Sequence, residues 1–384
     1  MSEPVVDLTV PALAGLRERR SEKWALFDPD VLSLTVAEMD FPIAVEISRA
    51  VSATIERGDL GYAVPAPRRL REAFAEFAQR RLDWRLDAEQ VSVVPDVMFG
   101  IVELCRALAG PDGSVAFATP AYPPFFHEPV SAGLRTVPVA LTPDGAIDLD
   151  ALDAALRSGI RALILSNPHN PTGRVLPHSE LASVAERCAD REVWVLADEI
   201  HAPLVLPGST HVPWFEVSEA ARRWGIVLTS ASKAFNLAAL KTAFIVTSSP
   251  QARSIVQRIG PQHEHASLLG EIAAEAAFRD GDAWLDAVLA QLTHNRDHLD
   301  AELRRRLPAV TWQPPQATYL AWLDCRGLEL QDDPAEVFLR RGRVALGPGP
   351  GYGEPGAGHA RLNFATSPEH LSDAVARMAT ALKC

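Results

Sequence analysis

Lysine is scarce in this chain of 384 residues. Only four of its 37 strongly basic residues are lysines, at positions 23, 233, 241 and 383, and the others are arginine. Arginine stays protonated, whereas a lysine amine can lose its proton, attack a carbonyl and form a Schiff base. Lys233 is therefore a candidate for Schiff-base formation. It follows an apolar run, in the segment Thr229-Ser230-Ala231-Ser232-Lys233. An exposed lysine on a strand-to-helix loop is the alternative interpretation.

The chain also has few cysteines, no basic cluster long enough to suggest a groove for a phosphate backbone, and no long apolar run. Its four cysteines, at 105, 188, 325 and 384, lack metal-ligand spacing, which is typical of a reducing compartment. A net charge of −12 disfavours nucleic acid and anionic membranes as partners. The amino terminus lacks the pattern of a signal peptide, and no apolar run reaches membrane-spanning length. We therefore expect a soluble, cytoplasmic protein, with Cys384 as an exposed thiol.

Short β-branched runs alternate with amphipathic stretches through the middle of the chain, which predicts a largely parallel sheet covered on both faces by helices. The final hundred residues differ: a long helix, two strands and a closing helix predict a smaller α+β unit. We expect a segment over 1–45 that packs on this unit, a large domain over 46–280 and a small domain over 281–384. The predicted strands are Val91–Val94, Ser114–Ala118, Arg135–Leu141, Arg161–Leu165, Glu192–Leu196, Ile226–Leu228 and Ala243–Val246.

Ligands of such sheets bind beyond the carboxyl ends of the strands, so the loops at those ends are the candidate site. One loop, Ser166 to Gly173, contains two Asn-Pro pairs, which predict a rigid turn. Another reads Asp198-Glu199-Ile200-His201, whose acids are suited either to Mg²⁺ or to a helix cap. The third loop carries Lys233, and the fourth contains Tyr122 among prolines.

An asparagine turn, then Asp-Glu-Ile-His, then Ser-x-Ser-Lys, in this order and spacing, resembles the pyridoxal-phosphate enzymes of the aspartate aminotransferase fold. The MalY/PatB group of cystathionine β-lyases is the branch that the chain resembles more closely. The motifs that carry this resemblance are Lys23-Trp24, Ala37 to Phe41, Asn167 to Gly173, Asp198 to His201, Ser232 to Leu237, Thr318 to Trp322 and Arg361 to Ala365. The resemblance implies fold type I: a three-layer αβα domain around a seven-stranded, largely parallel sheet, plus a smaller α+β domain.

The resemblance also implies catalytic roles around a pyridoxal 5′-phosphate cofactor. Lys233 would bind it as a Schiff base and then move protons at the substrate Cα. Asp198 would pair with the pyridine nitrogen, so that the ring accepts carbanion electrons. Tyr122 would stack on the ring face. Core packing is the alternative for Tyr122.

Further residues would bind the rest of the cofactor and the substrate. Asn170 would donate to the ring 3′-oxygen, with His201 assisting, although His201 could be a structural histidine. Arg361 would bind the substrate α-carboxylate through two parallel hydrogen bonds, with Asn170 and Ala37 also at the substrate. No metal is expected.

The cofactor phosphate would be held at a helix amino terminus. The backbone N–H groups of Val97 and Met98 open the helix that follows the first strand, and such groups bind anions. The resemblance adds three side chains from the Lys233 loop, and Tyr62 from a neighbouring subunit, which implies a homodimer with shared sites. Those three side chains are Ser230, Ser232 and Lys241. A surface charge is the alternative for Lys241.

The chain departs from the group's pattern at several positions: Pro203 replaces an acid, Ala234 a threonine, Ala239 a glycine, Asp96 a glycine, and Pro123 a tyrosine seen in some members. These departures leave the substrate open. We expect carbon–sulfur β-lysis of cystathionine or another S-substituted cysteine, to a thiol, pyruvate and ammonia. An aminotransferase, a variant acting on a sulfur-bearing amino acid of specialised metabolism, and a non-catalytic regulator are the alternatives.

Overall fold

The computed structural model describes residues 6–65, 67–260 and 265–383, and Cys384 therefore lies outside the described residues. The strands are β1 Leu32–Ser33, β2 Val91–Val94, β3 Ser114–Thr119, β4 Arg135–Ala140, β5 Ala162–Ser166, β6 Trp194–Asp198, β7 Gly225–Thr229, β8 Ala243–Thr247, β9 Thr311–Trp312, β10 Leu320–Asp324, β11 Val344–Ala345, β12 Gly347–Pro348 and β13 His359–Asn363. The helices are α1 Leu13–Leu16, α2 Glu22–Ala25, α3 Val45–Glu56, α4 Arg68–Leu82, α5 Val97–Ala109, α6 Pro124–Ser131, α7 Leu149–Arg157, α8 His178–Asp190, α9 Glu219–Trp224, α10 Ala231–Ala234, α11 Pro250–Arg258, α12 Leu268–Asp280, α13 Asp282–Arg306, α14 Pro334–Gly342 and α15 Pro368–Ala381.

A seven-stranded sheet forms the centre of the molecule, with the strand order β2-β8-β7-β6-β5-β3-β4. Strands β7, β6, β5, β3 and β4 pair in parallel, and β8 is antiparallel to both of its neighbours. All seven predicted strands are present, and their ends differ from the prediction by at most two residues. The predicted largely parallel sheet is confirmed.

Both faces of this sheet are covered, because its strands are apolar on both sides. Along β5, Leu163 and Leu165 belong to one hydrophobic core, whereas Ile164 belongs to a second core on the opposite face. Ile101 of α5 and Val256 of α11 pack in the second core, and Val184 of α8 packs in the first. Alternating side chains of one strand thus enter two separate cores, which is the physical basis of the αβα layering.

The carboxy-terminal part contains a four-stranded antiparallel sheet, ordered β12-β13-β10-β9. Helix α15 packs against α13 and α14 beside it. The amino-terminal segment joins this unit, since β1 pairs in parallel with β11 and Arg343 forms ion pairs with Asp28 and Asp30. The boundaries 45/46 and 280/281 stay predictions. In the described part of the chain, no helix combines the length and apolar character needed to cross a membrane.

The segment 35–40 crosses the carboxyl ends of the central strands and links the two sheets. On one side, the Asn363 amide donates to the carbonyls of Val36 and Glu38, at 2.6 Å each. On the other side, Asn236 of the Lys233 loop exchanges two hydrogen bonds with the Met39 backbone, at 2.8 and 2.9 Å. The fold therefore brings this segment over the loops that the sequence singles out.

Candidate active site

A cavity of about 920 Å³ lies between these loops, the segment 35–40 and the carboxy-terminal sheet. This volume is within the range of cofactor and substrate sites. Eleven of the predicted site residues line it: Ala37, Val97, Met98, Tyr122, Asn170, Asp198, His201, Ser232, Lys233, Lys241 and Arg361. Residues far apart in sequence thus converge on one space, as the resemblance implies.

Lys233 lies on α10, a short helix that starts directly after β7, and its amine reaches back across the cavity. The Nζ atom donates to the Ala37 carbonyl at 3.1 Å, and the same carbonyl accepts from the Tyr319 hydroxyl at 2.9 Å. Burial, together with the positive charge of Arg361, lowers the pKa of Lys233 to about 8. About a tenth of this amine is therefore neutral and nucleophilic at pH 7.

Asp198 is the last residue of β6, and its carboxyl group is buried. Burial raises its pKa to about 7, although the backbone N–H of Ile200 donates to it at 3.2 Å and Lys233 also favours the charged form. A buried carboxyl group with a raised pKa is suited to a cationic partner, because a positive charge beside it would lower the pKa and favour the ionised form.

Two rings border the cavity near these groups. His201 is buried, its pKa is lowered to about 3 by burial, and it packs edge-on against Tyr319 with ring centroids 6.3 Å apart. Among the described residues, His201 Nδ1 has no hydrogen-bond partner. Burial likewise raises the pKa of Tyr122 to about 12, so its hydroxyl stays protonated. His201 is therefore a neutral ring with a free polar atom, which favours a ligand contact over a purely structural role.

Arg361 lies on β13 at the opposite wall, where its guanidinium is buried and fixed on several sides. It donates to the Asn170 side-chain oxygen at 3.1 Å and to the Thr35 carbonyl at 2.9 Å. Its centre lies 5.1 Å from the centroid of the Tyr352 ring. In the described part of the chain, Arg361 Nε has no hydrogen-bond partner. A buried cation with an unused donor is suited to a carboxylate.

The amino terminus of α5 closes another end of the cavity. The Asp96 side chain caps this helix by accepting from the Phe99 N–H at 2.7 Å, and its second oxygen pairs with Lys241 at 2.9 Å. The backbone at Val97 and Met98 opens the helix, as predicted. A helix amino terminus beside a lysine favours an anion at this end.

Two predicted residues lie away from the cavity lining. The Ser230 hydroxyl donates to the Thr242 carbonyl at 2.6 Å and accepts from the Ser232 N–H at 3.0 Å, which caps α10. Within one chain, this hydroxyl therefore anchors the Lys233 loop. Tyr62 is fully exposed, so it does not reach the cavity of its own chain.

The acid next to Asp198 has a different environment. One oxygen of Glu199 accepts from the Trp214 N–H at 2.7 Å, and the other lies 3.4 Å from His211 Nε2. Glu199 thus supports the scaffold rather than the cavity. Across residues 6–65, 67–260 and 265–383, no three His, Cys, Asp or Glu side chains are grouped to hold a metal ion.

Four of the departures from the resemblance divide into two pairs. Asp96 and Pro123 line the cavity, whereas Pro203 lies in a 3₁₀ turn and Ala234 is fully buried, and neither borders the cavity. Any effect of the sequence departures on specificity is therefore expected from Asp96 and Pro123.

Thr35 and Tyr352 are site residues that sequence reasoning missed. Thr35 acts through its backbone carbonyl, which carries no side-chain signal. Tyr352 lies in the loop rich in glycine and proline between β12 and β13, and an aromatic residue within such a loop was the available signal.

A family model and known relatives identify this architecture. The model described as aminotransferase class I and II matches residues 29–378. The chain belongs to the class I and II aminotransferase family. Within it, the chain is 40% identical to a Mycobacterium tuberculosis protein, over 99% of this chain and 98% of the relative. It is 32% identical to the cystathionine beta-lyase PatB of Bacillus subtilis, over 92% and 93% of the two chains.

A solved family structure has the same fold. The PLP-bound C-S lyase from Staphylococcus hominis superimposes with a TM-score of 0.88 at 26% identity, over 94% of this chain and 96% of that chain. The predicted fold type, with its seven-stranded sheet, is confirmed.

Proposed function

We propose that this protein is a pyridoxal-phosphate-dependent carbon–sulfur β-lyase. It cleaves cystathionine or another S-substituted cysteine, and with one water the products are a thiol, pyruvate and ammonia. The observation that carries the proposal is the convergence of a lysine of lowered pKa, a buried carboxyl group and a buried arginine on one cavity, in a chain with carbon–sulfur lyases among its relatives.

The unsatisfied polar groups of the cavity fit pyridoxal phosphate. When bound, this cofactor supplies an aldehyde that condenses with amines and a cationic ring that accepts the electron pair left at the substrate Cα. Asp198 would receive the protonated ring nitrogen, which relieves its unfavourable buried state. Asn170 and the free Nδ1 of His201 would contact the polar side of the ring. Tyr122 would cover one face.

The phosphate group would bind at the amino terminus of α5. Val97 and Met98 would supply backbone donors there, Lys241 lies at the same end, and Ser232 also lines the cavity. Lys241 would exchange its bond with Asp96 for one with the phosphate. A role for Ser230 would require its hydroxyl to leave the Thr242 carbonyl.

Two groups would handle the amino-acid substrate. Arg361 would bind the α-carboxylate through its guanidinium, and the Ala37 carbonyl would orient either the substrate amine or the amine of Lys233. The neutral amine of Lys233 would then accept the Cα proton. That proton is the one available to the departing thiolate, so lysis needs no further acid.

Transamination is the second candidate, because the matching family model is that of aminotransferases. Both reactions use Lys233, Asp198 and Arg361 up to removal of the Cα proton. They differ afterwards: lysis expels the β-sulfur, whereas transamination returns a proton to the cofactor and needs a keto acid to complete the cycle.

We also propose a homodimer in which Tyr62 enters the partner's site. Tyr62 is fully exposed, and Leu60 and Val64 beside it are exposed apolar residues, as are Val45 and Ile55 of α3. Exposed apolar residues grouped in this way are characteristic of interaction surfaces.

We place the protein in the cytoplasm, since Cys105, Cys188 and Cys325 are free and buried.

The cofactor and its attachment are tested by loading the protein with pyridoxal phosphate, reducing it with borohydride and mapping the modified peptide by mass spectrometry. We expect cofactor mass on Lys233, release of thiol from S-substituted cysteines, and neither in Lys233→Ala. Loaded protein that carries the cofactor on Lys23, Lys241 or Lys383 instead, or that releases thiol equally well without Lys233, would overturn the proposal.

A further inference from the structure

The Tyr352 ring packs against the guanidinium of Arg361, which lines the cavity. This ring is 3% exposed and lies 5.1 Å from the centre of the Arg361 guanidinium. Trp322 packs against the Tyr352 ring, and the centroids of these two rings are 5.1 Å apart with planes inclined by 66°. His359 in turn stacks on Trp322 at 5.1 Å. The ring that supports Arg361 is thus itself held by packed aromatic groups.

The contacts of Arg361 hold its guanidinium at the wall of the cavity. Asn170 and Thr35 each accept one hydrogen bond from its two amino groups, and the Tyr352 ring lies within cation–π distance. Nε is buried and has no partner among the described residues. These restraints fix the plane of the guanidinium, whose paired N–H donors are suited to a carboxylate.

Gly347 lies beside the Tyr352 hydroxyl and Arg361, where its lack of a side chain leaves space for the tyrosine ring. It lies opposite Arg361 in the pairing of β12 with β13. A Cβ atom at position 347 would lie 2.9 Å from the Tyr352 hydroxyl oxygen and 3.4 Å from Arg361 Cβ. Tyr352 packs against Trp322, and a methyl group at position 347 would shift the hydroxyl end of its ring. The absence of a side chain at 347 leaves the space in which the ring lies beside Arg361.

The backbone of Tyr352 is tied to a separate part of the site. Its carbonyl accepts a hydrogen bond from the Ala121 N–H at 2.9 Å, next to Tyr122. A side-chain substitution at 352 leaves this bond in place. The ring and the backbone of this residue can therefore be tested separately.

We propose that Tyr352 is a positioning residue for recognition of the substrate α-carboxylate: its ring holds Arg361 in the orientation that binds the carboxylate. This inference rests on the proposed function and names the part of the substrate that Tyr352 governs. It predicts selective weakening of ligands that carry an α-carboxylate. Amines without one are unaffected, because they react with the cofactor without using Arg361.

The test uses cofactor-loaded protein and two matched amines, L-alanine and ethylamine, which differ by the carboxylate and carry no leaving group. Apparent dissociation constants are measured from the change in visible absorption. Tyr352→Leu should weaken L-alanine binding by about threefold to thirtyfold, the range of a cation–π contact, with ethylamine unchanged. Tyr352→Phe keeps the ring and should bind both amines like the wild type.

A second pair of variants tests the geometry and does not depend on the folding of Tyr352→Leu. Gly347→Ala should weaken L-alanine binding, because the new methyl group displaces the tyrosine hydroxyl. Gly347→Ala combined with Tyr352→Phe should restore binding, since the oxygen in conflict is gone. The proposal is overturned if Tyr352→Leu binds L-alanine like the wild type, if it loses both amines equally, or if the double variant is no better than Gly347→Ala. Loaded wild type that responds to neither amine overturns the proposed function itself.

Discussion

Lys233 derives its reactivity from its surroundings at the level of single residues. Its pKa is lowered to about 8 by burial, with Arg361 as the largest charge acting in the same direction. Glu38 and Asp198 oppose that effect. The pKa of this amine therefore lies close to the pH at which it can both attack a carbonyl and exchange a proton.

The first prediction concerns the pH dependence of cofactor capture. The neutral amine is the reactive form, so the rate of covalent attachment to cofactor-free protein should rise with pH and level off above about 8. Arg361→Gln removes a positive charge and should move the midpoint to higher pH, whereas Arg361→Lys keeps the charge and should leave it near 8. Stopped-flow absorbance measures these rates. A wild-type midpoint near the ordinary lysine value would contradict this account.

The second prediction concerns Asp198 and stability. Its folded pKa is about 7, against 3.8 ordinarily, so between pH 4 and 7 the folded protein holds a proton that the unfolded chain has released. The stability that this proton gives the cofactor-free protein is present at low pH and is lost as pH rises through 7, by up to roughly 4 kcal/mol. Asp198→Asn should lack this contribution to the slope and be relatively more stable at pH 8.

Urea unfolding at pH 5 and pH 8 tests this expectation. Bound cofactor supplies a cation beside Asp198, so the slope should diminish in loaded wild type. Turnover of Asp198→Asn should fall by about 10² to 10³, as expected for removal of one preorganised electrostatic partner. Identical pH slopes in wild type and variant would show that Asp198 is ionised throughout.

At the scale of elements, the segment 35–40 depends on a buried ion pair behind it. Lys23 and Asp40 both have no exposed side-chain surface and lie 2.9 Å apart, and Asp40 also accepts from the Trp24 indole at 2.9 Å. This explains why Lys23-Trp24 and the segment beginning at Ala37 occur together in the sequence. The pair fixes the backbone that contacts Lys233 and Arg361.

The third prediction is that Lys23→Met destabilises the protein by up to about 3–5 kcal/mol, because it leaves the buried Asp40 carboxylate with only the Arg19 guanidinium, 3.8 Å away, as a cation. Lys23→Met combined with Asp40→Asn should lose less than Lys23→Met alone, since asparagine can still accept from Trp24. The free energy of unfolding in urea gives the comparison. An exposed pair, Arg68 with Glu72, provides the control: Arg68→Met should cost about 0.5 kcal/mol or less.

Elements with a local pattern were predictable from sequence, and contacts between distant segments were not. The strands around Val195 and Val227 were correctly placed, because buried parallel strands are continuous apolar runs. The long helix predicted in the final hundred residues is present as α13, Asp282–Arg306. The Thr35 contact with Arg361 joins residues 326 positions apart through a backbone carbonyl, which no side-chain pattern encodes. Tyr352 was missed for a similar reason, since its role depends on the space left by Gly347.

At the scale of the whole molecule, the proposed homodimer extends the site beyond one chain. Tyr62 is fully exposed in the single chain, which is an unusual environment for a residue expected at the cofactor. A second subunit would bury it together with its exposed apolar neighbours. The proposal of shared sites therefore has a direct consequence for mixtures of variants.

The fourth prediction is intersubunit complementation between Tyr62→Ala and Lys233→Ala. Each variant alone should be impaired, the first in cofactor affinity and the second in covalent attachment. Mixed dimers contain one site with both native residues, so activity at low cofactor concentration should return on mixing and refolding. Sedimentation should show a dimer for all species. Mixtures no more active than Tyr62→Ala alone would mean that the sites are not shared.

The central claim is carbon–sulfur β-lysis, which differs from transamination only in the step after the proposed removal of the Cα proton by Lys233. The measurement is pyruvate formed per subunit from L-cystathionine by cofactor-loaded protein with no keto acid present, with Lys233→Ala as the control. A carbon–sulfur lyase should produce pyruvate over many turnovers, with thiol in equal amount. One turnover that stops until a keto acid is added would contradict the lyase proposal and identify an aminotransferase.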